Sequence, residues 1–249
     1  MGGYSAAVAV VGYNAWWKDN SGAFHLKSEG WLEQDSYHGG ADKFGHMYTA
    51  YISTRLLSYG LRQAGNSPDQ ALYYAAWTTG LTTLGIELLD GFTDEFGFSY
   101  EDMVFNLAGI ASANFFENNP WWDQRFDFRF HYRQSADSRR LNKGDVMSDY
   151  SGQSYLLIAK LNGFSYFKKS TLLRYLELGV GYGARGYSPQ DELSQREQKL
   201  LFSVSLNLSE LLNQSLYKKQ NHPRLKQSSE LLFEYVQIPA TTVMYEKKM

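Results

Sequence analysis

Apolar positions recur at helical spacing up to about residue 120 and alternate with period two beyond it. Three helices are expected in the first part. The first runs from about Asp42 to Ala64. The second opens at Ser67-Pro68-Asp69-Gln70, where Ser67 can cap and Pro68 suits the first helical position, and it ends near Asp90-Gly91. The third opens on the capping-box pattern Ser99-Tyr100-Glu101-Asp102 and runs to about Phe116. The connections are short, so consecutive helices should be antiparallel neighbours. Pro120 and Trp121-Trp122 close this part.

In the second part Phe126, Phe128, Phe130 and Tyr132 alternate with Asp127, Arg129, His131 and Arg133. Leu176, Leu178, Val180 and Tyr182 alternate with Glu177 and three glycines, and Phe202, Val204, Leu206 and Leu208 alternate with serines and Asn207. Tyr155–Leu161 and Leu231–Ile238 are expected strands of poorer alternation. Ser188-Pro189 and His222-Pro223 act as spacers, and Lys218–Lys226 reads as a polar loop. The face carrying His131, Arg129 and Arg133 reads as solvated.

A large apolar face backed by a small or polar one suits a lipid-facing barrel strand, and equally a sheet covered by helices. The fold class is therefore α+β: a three-helix N-terminal unit with a C-terminal antiparallel β-sheet or small β-barrel. Residues 1–41 form an N-terminal extension, 42–120 the helical unit and 121–249 the antiparallel β region. A barrel-like sheet in the outer membrane is the favoured form. The smallest usual barrel has about eight strands, so Tyr4–Trp17 and Phe24–Trp31 would have to contribute strands.

Composition narrows this picture. The 249 residues carry 24 Lys+Arg against 26 Asp+Glu, so no overall basic bias points to nucleic acid, and none is expected as partner. Five prolines and 43% apolar residues exclude a disordered or collagen-like chain. Aromatic residues make up 16%, which suits side chains at a lipid–water boundary. Cysteine is absent, which removes thiolate chemistry, Cys-ligated metals and direct lipidation of this chain. No complete signal peptide is visible, and no uncharged apolar run reaches the roughly 20 residues of a spanning helix.

The polar residues of the helices are clustered. Asp42, Lys43 and His46 stand at the start of the first helix, Glu87 and Asp90 at the end of the second, Asp102 and Asn106 at the start of the third. An up–down–up order brings these three ends together. Stripes of small residues follow on the same faces (Ala50 and Ser53; Thr83, Gly80 and Ala76; Gly109 and Ala113), where helix backbones can approach closely. Three readings compete. The group is a buried network that fixes helix register, with Glu87 buried in contrast to an exposed Glu192. Or it is a site with His46, Glu87 and Asp90 as catalytic residues and Asp42, Lys43, Asp102 and Asn106 as ligand-binding ones. A metal reading is open to one His and several carboxylates, but no metal ligand and no cofactor is assigned.

Asp42-Lys43-Phe44-Gly45-His46, then Glu87-Leu88-Leu89-Asp90, then Phe98-Ser99-Tyr100-Glu101-Asp102 with Asn106 and Gly109 resemble the motifs of an uncharacterised bacterial family, predicted periplasmic lipoproteins of the YfiM-like type. Asp149-Tyr150-Ser151-Gly152-Gln153-Ser154-Tyr155 resembles a downstream segment of its longer members. A more distant likeness is to VanZ-like membrane proteins. The resemblance implies localisation in the envelope of a Gram-negative bacterium, in the outer membrane or periplasm, and supplies no reaction. The expected function is a structural or lipid-contact role at the envelope, with membrane lipid as the partner class. The alternative is a hydrolase or transferase acting on an envelope lipid or cell-wall substrate through His46 and the carboxylates, so enzymatic activity is left open.

Overall fold

The computed structural model describes residues 2–18, 20–36, 38–141, 146–187, 195–219 and 223–249, and Ser188, Pro189, Glu192 and His222 lie outside them. The chain divides into two compact units, one from residues 1–37 and 42–118 and the other from 38–41 and 119–249. The architecture is α+β, with N-terminal helices followed by a six-stranded sheet.

The first unit holds α1 (Gly2–Gly12), which continues as a π-helical turn over Tyr13–Trp17, then α2 (Ala41–Gln63), α3 (Pro68–Asp90) and α4 (Tyr100–Asn118). The capping residues act where the sequence places them: Gln70 N–H donates to Ser67 Oγ at 3.3 Å and Asp102 N–H to Ser99 Oγ at 3.2 Å. The small-residue stripes lie where helices meet. A Cβ at Gly109 on α4 would run into the Met47 carbonyl oxygen of α2 and stand 3.0 Å from Ala50 Cβ. The inward residues of α3 are mostly small or polar (Ala71, Ala75, Thr78, Thr79, Thr83), while Tyr73, Trp77 and Leu81 face outward and are exposed.

Tyr4–Trp17 is helical rather than a strand, and Phe24–Trp31 contributes only an isolated bridge, Leu26 to Phe98. The Ala-rich run Ser5–Val11 satisfies its own backbone as a helix, whereas an added strand needs an edge to join. Among the described residues, no helix is long and apolar enough to cross a membrane.

In the second unit β1 (Phe126–Tyr132), β2 (Gln153–Lys160), β3 (Leu176–Arg185), β4 (Glu197–Leu206), β5 (Val236–Gln237) and β6 (Thr242–Lys248) form one sheet in the order β5-β1-β2-β3-β4-β6. All pairings are antiparallel except β1 with β5, so the sheet is mixed. It is open, with β5 and β6 at its edges, and this overturns the expected barrel. Closure needs both edge strands to pair, and β5 is only two residues long.

Leu231–Ile238 is mostly the end of a helix, Pro223–Tyr235, and only Val236–Gln237 is strand. The polar stretch Lys218–Lys226 is likewise helical over its described ends. Pro223 in the first turn and the helix formers Lys226, Gln227 and Glu230 outweigh the short apolar run that suggested a strand. The strand β6 lacked a strong signal, because its apolar residues Val243, Met244 and Tyr245 are consecutive and do not alternate with polar ones. The Asp149–Tyr155 segment serves structure: Asp149 Oδ2 accepts from Ser135 N–H at 2.9 Å and Tyr132 OH at 3.1 Å, and Gln153 donates to the Val146 carbonyl at 2.7 Å.

The sheet buries charge on one face and exposes large apolar side chains over much of the other, the reverse of the usual polarity, although Phe128, Tyr155 and Tyr182 of that second face are buried. Its buried face carries Asp127, Arg129, His131, Glu177, Ser203, Ser205 and Gln237 around a small apolar cluster of Leu156, Ile158 and Leu201. Arg129 is 5% exposed and forks onto the fully buried Glu177 with bonds of 2.7 and 3.0 Å, and it also donates to Asp127 and to Gln237. Lys160 pairs with Asp127. Two cations thus meet two carboxylates. Gly179 leaves the space that Ile158 and Ser203 fill on this face. The face expected to be solvated is buried at Arg129 and His131, with Arg129 held by Glu177 and Gln237 from distant strands, while Arg133 is exposed.

Burial, joined by the charge of Arg133, lowers the His131 pKa to about 4. The imidazole is neutral when folded but takes a proton below its ordinary value of 6.5 when unfolded, so stability falls as pH drops from above 6.5 toward 4. Urea unfolding should show wild type losing about 3 kcal/mol more than His131→Gln between neutral pH and pH 4. A second test concerns helix contact. Gly109→Ala should lower stability by about 1–3 kcal/mol in thermal unfolding, despite the better helix propensity of alanine.

Candidate functional site

The polar ends of α2, α3 and α4 meet, as the up–down–up order requires. Lys43, the third residue of α2, is 1% exposed. Its Nζ stands 2.7 Å from Asp42 Oδ2, 2.7 Å from Asp102 Oδ1 and 2.9 Å from Glu29 Oε2. Burial alone would lower the Lys43 pKa, but Asp42, Asp102 and Glu29 outweigh it and hold the amine charged. Burial raises the Glu29 carboxyl in turn, against the pull of Lys43.

His46 lies one turn further along α2, so its ring falls on the face of Asp42. Its side chain is 33% exposed. Nδ1 is 3.6 Å from Glu87 Oε1 on α3, and Nε2 is 3.8 Å from Asp102 Oδ1 on α4. Burial tends to lower the His46 pKa, and the carboxylates of Asp102 and Glu87 reverse this, so it is raised overall. Glu87 is 2% exposed, and burial, with Asp102 and Asp90 nearby, pushes its pKa up to about 8. Its Oε1 has no hydrogen-bond partner.

Asp90 is drawn elsewhere. It accepts a hydrogen bond from Trp17 Nε1 at 2.6 Å, and burial raises its pKa against that bond. Its influence on His46 and Asp102 is through charge alone. Asn106 is buried one turn beyond Asp102. Two participants had no local signal. Glu29 lies outside any periodic segment, and Glu101, fully buried, bonds Ser28 Oγ at 2.5 Å and Ser99 Oγ at 3.3 Å. Only the folded chain brings residues 28 and 29 beside α2 and α4.

Two chemical environments result. Around Lys43 the site is closed and paired. Around His46 it opens to solvent, with carboxylates at both ring nitrogens. A base, an acid or a cation ligand could act there. Both nitrogens face carboxylates, so neither is set on a hydroxyl as a serine-type nucleophile requires.

Removing Lys43 would strand three carboxylates. Lys43→Met should cost about 3–5 kcal/mol of stability in chemical denaturation, the range for breaking a buried pair. Lys248→Met, at an exposed lysine, should change it by less than about 1 kcal/mol.

Residues 28–118 match the family model described as predicted periplasmic lipoprotein (DUF2279). The match takes in Glu29 and all three helix ends that form the cluster, and it stops before the sheet, so the Asp149–Tyr155 segment lies beyond it. No curated protein and no solved structure matches the chain. The chain is thus similar, over its helical part, to an uncharacterised family of periplasmic lipoproteins, which fits a cell-envelope protein.

Proposed function

We propose that this is an envelope protein whose sheet rests one face against membrane lipid, in a structural rather than catalytic role. The observation that carries the reading is the reversed polarity of the sheet. Across the strands the register aligns Leu157, Val180, Phe202 and Tyr245 in one row and Leu178, Val204 and Val243 in the next. All are exposed, Leu178 at 48% and the neighbouring Leu206 at 45%. The opposite face buries charge. In water such a continuous apolar face favours association, whereas in contact with lipid it is at its free-energy minimum. Trp121, Trp122, Tyr166 and Leu172 are also exposed, near the end of the sheet where β1 and β3 begin, and aromatic side chains of this kind favour the lipid–water boundary.

The open edges limit how deep the sheet can go. Unpaired strand edges are not tolerated in hydrocarbon, so the contact is interfacial, with the edges and the charged C-terminal residues Glu246–Lys248 left in water. Outer-membrane placement belongs to this reading as its narrower form, and what supports it is the exposed apolar face of the sheet.

The test is flotation of the purified full chain with vesicles of phosphatidylethanolamine and phosphatidylglycerol. The native protein should float with lipid. Leu178→Arg and Leu206→Arg should each reduce the bound fraction several-fold, since arginine on a lipid face costs up to about 2–4 kcal/mol. Native protein that stays monomeric and soluble beside the vesicles would overturn the reading.

A further inference from the structure

We infer that His46, Glu87 and Asp102 form a binding site for one first-row divalent cation, with zinc the best-suited ion. This is independent of the lipid-contact reading, which rests on the other unit.

The first observation is geometric. One ligand atom from each of the three side chains lies within 4.8 Å of the other two. Tetrahedral ligands held at about 2.0–2.2 Å by one ion stand about 3.3–3.6 Å apart, so side-chain rotations that close the longer separations complete the set. The 3.6 Å between His46 Nδ1 and Glu87 Oε1 is too long for a hydrogen bond and falls inside that range.

The second observation is the free oxygen. Glu87 is almost wholly buried, yet its Oε1 has no hydrogen-bond partner and points at His46. A buried carboxylate oxygen left unmatched is costly, and a cation on that oxygen removes the cost.

The third is charge balance. In the sheet, Arg129 and Lys160 answer Asp127 and Glu177 one for one. In the helical cluster five carboxyl groups, Glu29, Asp42, Glu87, Asp90 and Asp102, lie around two basic groups, Lys43 and His46. With every carboxylate ionised the surplus would be negative, and a cation beside His46 would offset it. A second acidic group, Glu29, Asp42 and Asp102, also has ligand-like spacing, but the Lys43 ammonium already sits among those oxygens at 2.7–2.9 Å. Asp102 Oδ1 belongs to both groups, 2.7 Å from Lys43 Nζ and 3.8 Å from His46 Nε2, so an ion at the His46 site would share that carboxylate with Lys43.

One imidazole nitrogen and two carboxylates make a borderline donor set, which suits zinc or manganese better than the all-oxygen sites of calcium. The exposed edge of His46 gives the ion a path from solvent. Asp90, fixed by Trp17, adds negative charge behind Glu87.

The experiment uses the full chain, stripped with chelator and titrated separately with zinc and manganese by calorimetry, with metal content measured after gel filtration. We expect one ion per chain. Glu87→Gln and His46→Gln should each weaken binding about tenfold or more, while Glu230→Gln, at an exposed site, leaves it unchanged. The ion should raise the melting temperature of wild type and of Glu230→Gln, and raise it less in the two site variants. Melting curves of the metal-free variants check that they fold. If neither ion binds to wild type, or if both site variants that fold bind as wild type does, the inference is wrong and protons answer the surplus charge.

Discussion

A charge placed inside a protein has to be matched there, and the Lys43 ammonium shows what that constraint imposes on the helical unit. Its three partners come from the segment before α2, from α2 itself and from the first turn of α4. No two of those segments could shift without exposing or orphaning a charge. The inward faces of the helices carry many alanines, glycines, serines and threonines beside a few large side chains such as Tyr51, Leu72 and Phe116, so close-packed small residues leave much of the register to polar partners. The ion pairs supply the specificity that a jigsaw of large apolar side chains supplies elsewhere.

The same rule governs the sheet. Arg129 draws Asp127, Glu177 and Gln237 together from β1, β3 and β5, so one guanidinium spans the strands from the β5 edge to β3. With charge inside, most large apolar side chains of β3 and β4 are left on the other face, Leu201 excepted. Reversed polarity is thus one arrangement seen from two sides, and it explains why the glycines of β3 lie on the buried face and its leucines on the exposed one. Lipid is the environment in which such an outer face is no liability.

Much of the helical unit was legible in the chain because its signals are local. Ser67 and Ser99 mark helix starts by hydrogen bonds that reach only three residues, Pro68 by its fixed backbone angle, and Gly109 marks a close approach by lacking a side chain. The convergence of His46, Glu87 and Asp102 followed from helix order and spacing. Glu29 and Glu101 were not legible. A carboxylate in a loop, or one beside a capping serine, looks the same whether it meets water or a buried partner.

In the sheet, period-two alternation by itself determined the strands β1, β3 and β4 and showed that each has one apolar and one polar face. It could not say which face is buried. That depends on long-range partners, and only the tertiary structure, by setting Glu177 and Gln237 beside Arg129, turned the charged face inward. Closure was likewise undecided in the chain, since the pairing of edge strands is a contest between distant segments. The residues of Leu231–Tyr235 settled as helix, and β5 was left too short to meet β6. Local hydrogen bonding and side-chain period are written in the sequence. The matching of buried charges and of strand edges is decided only where distant segments compete for the same partner.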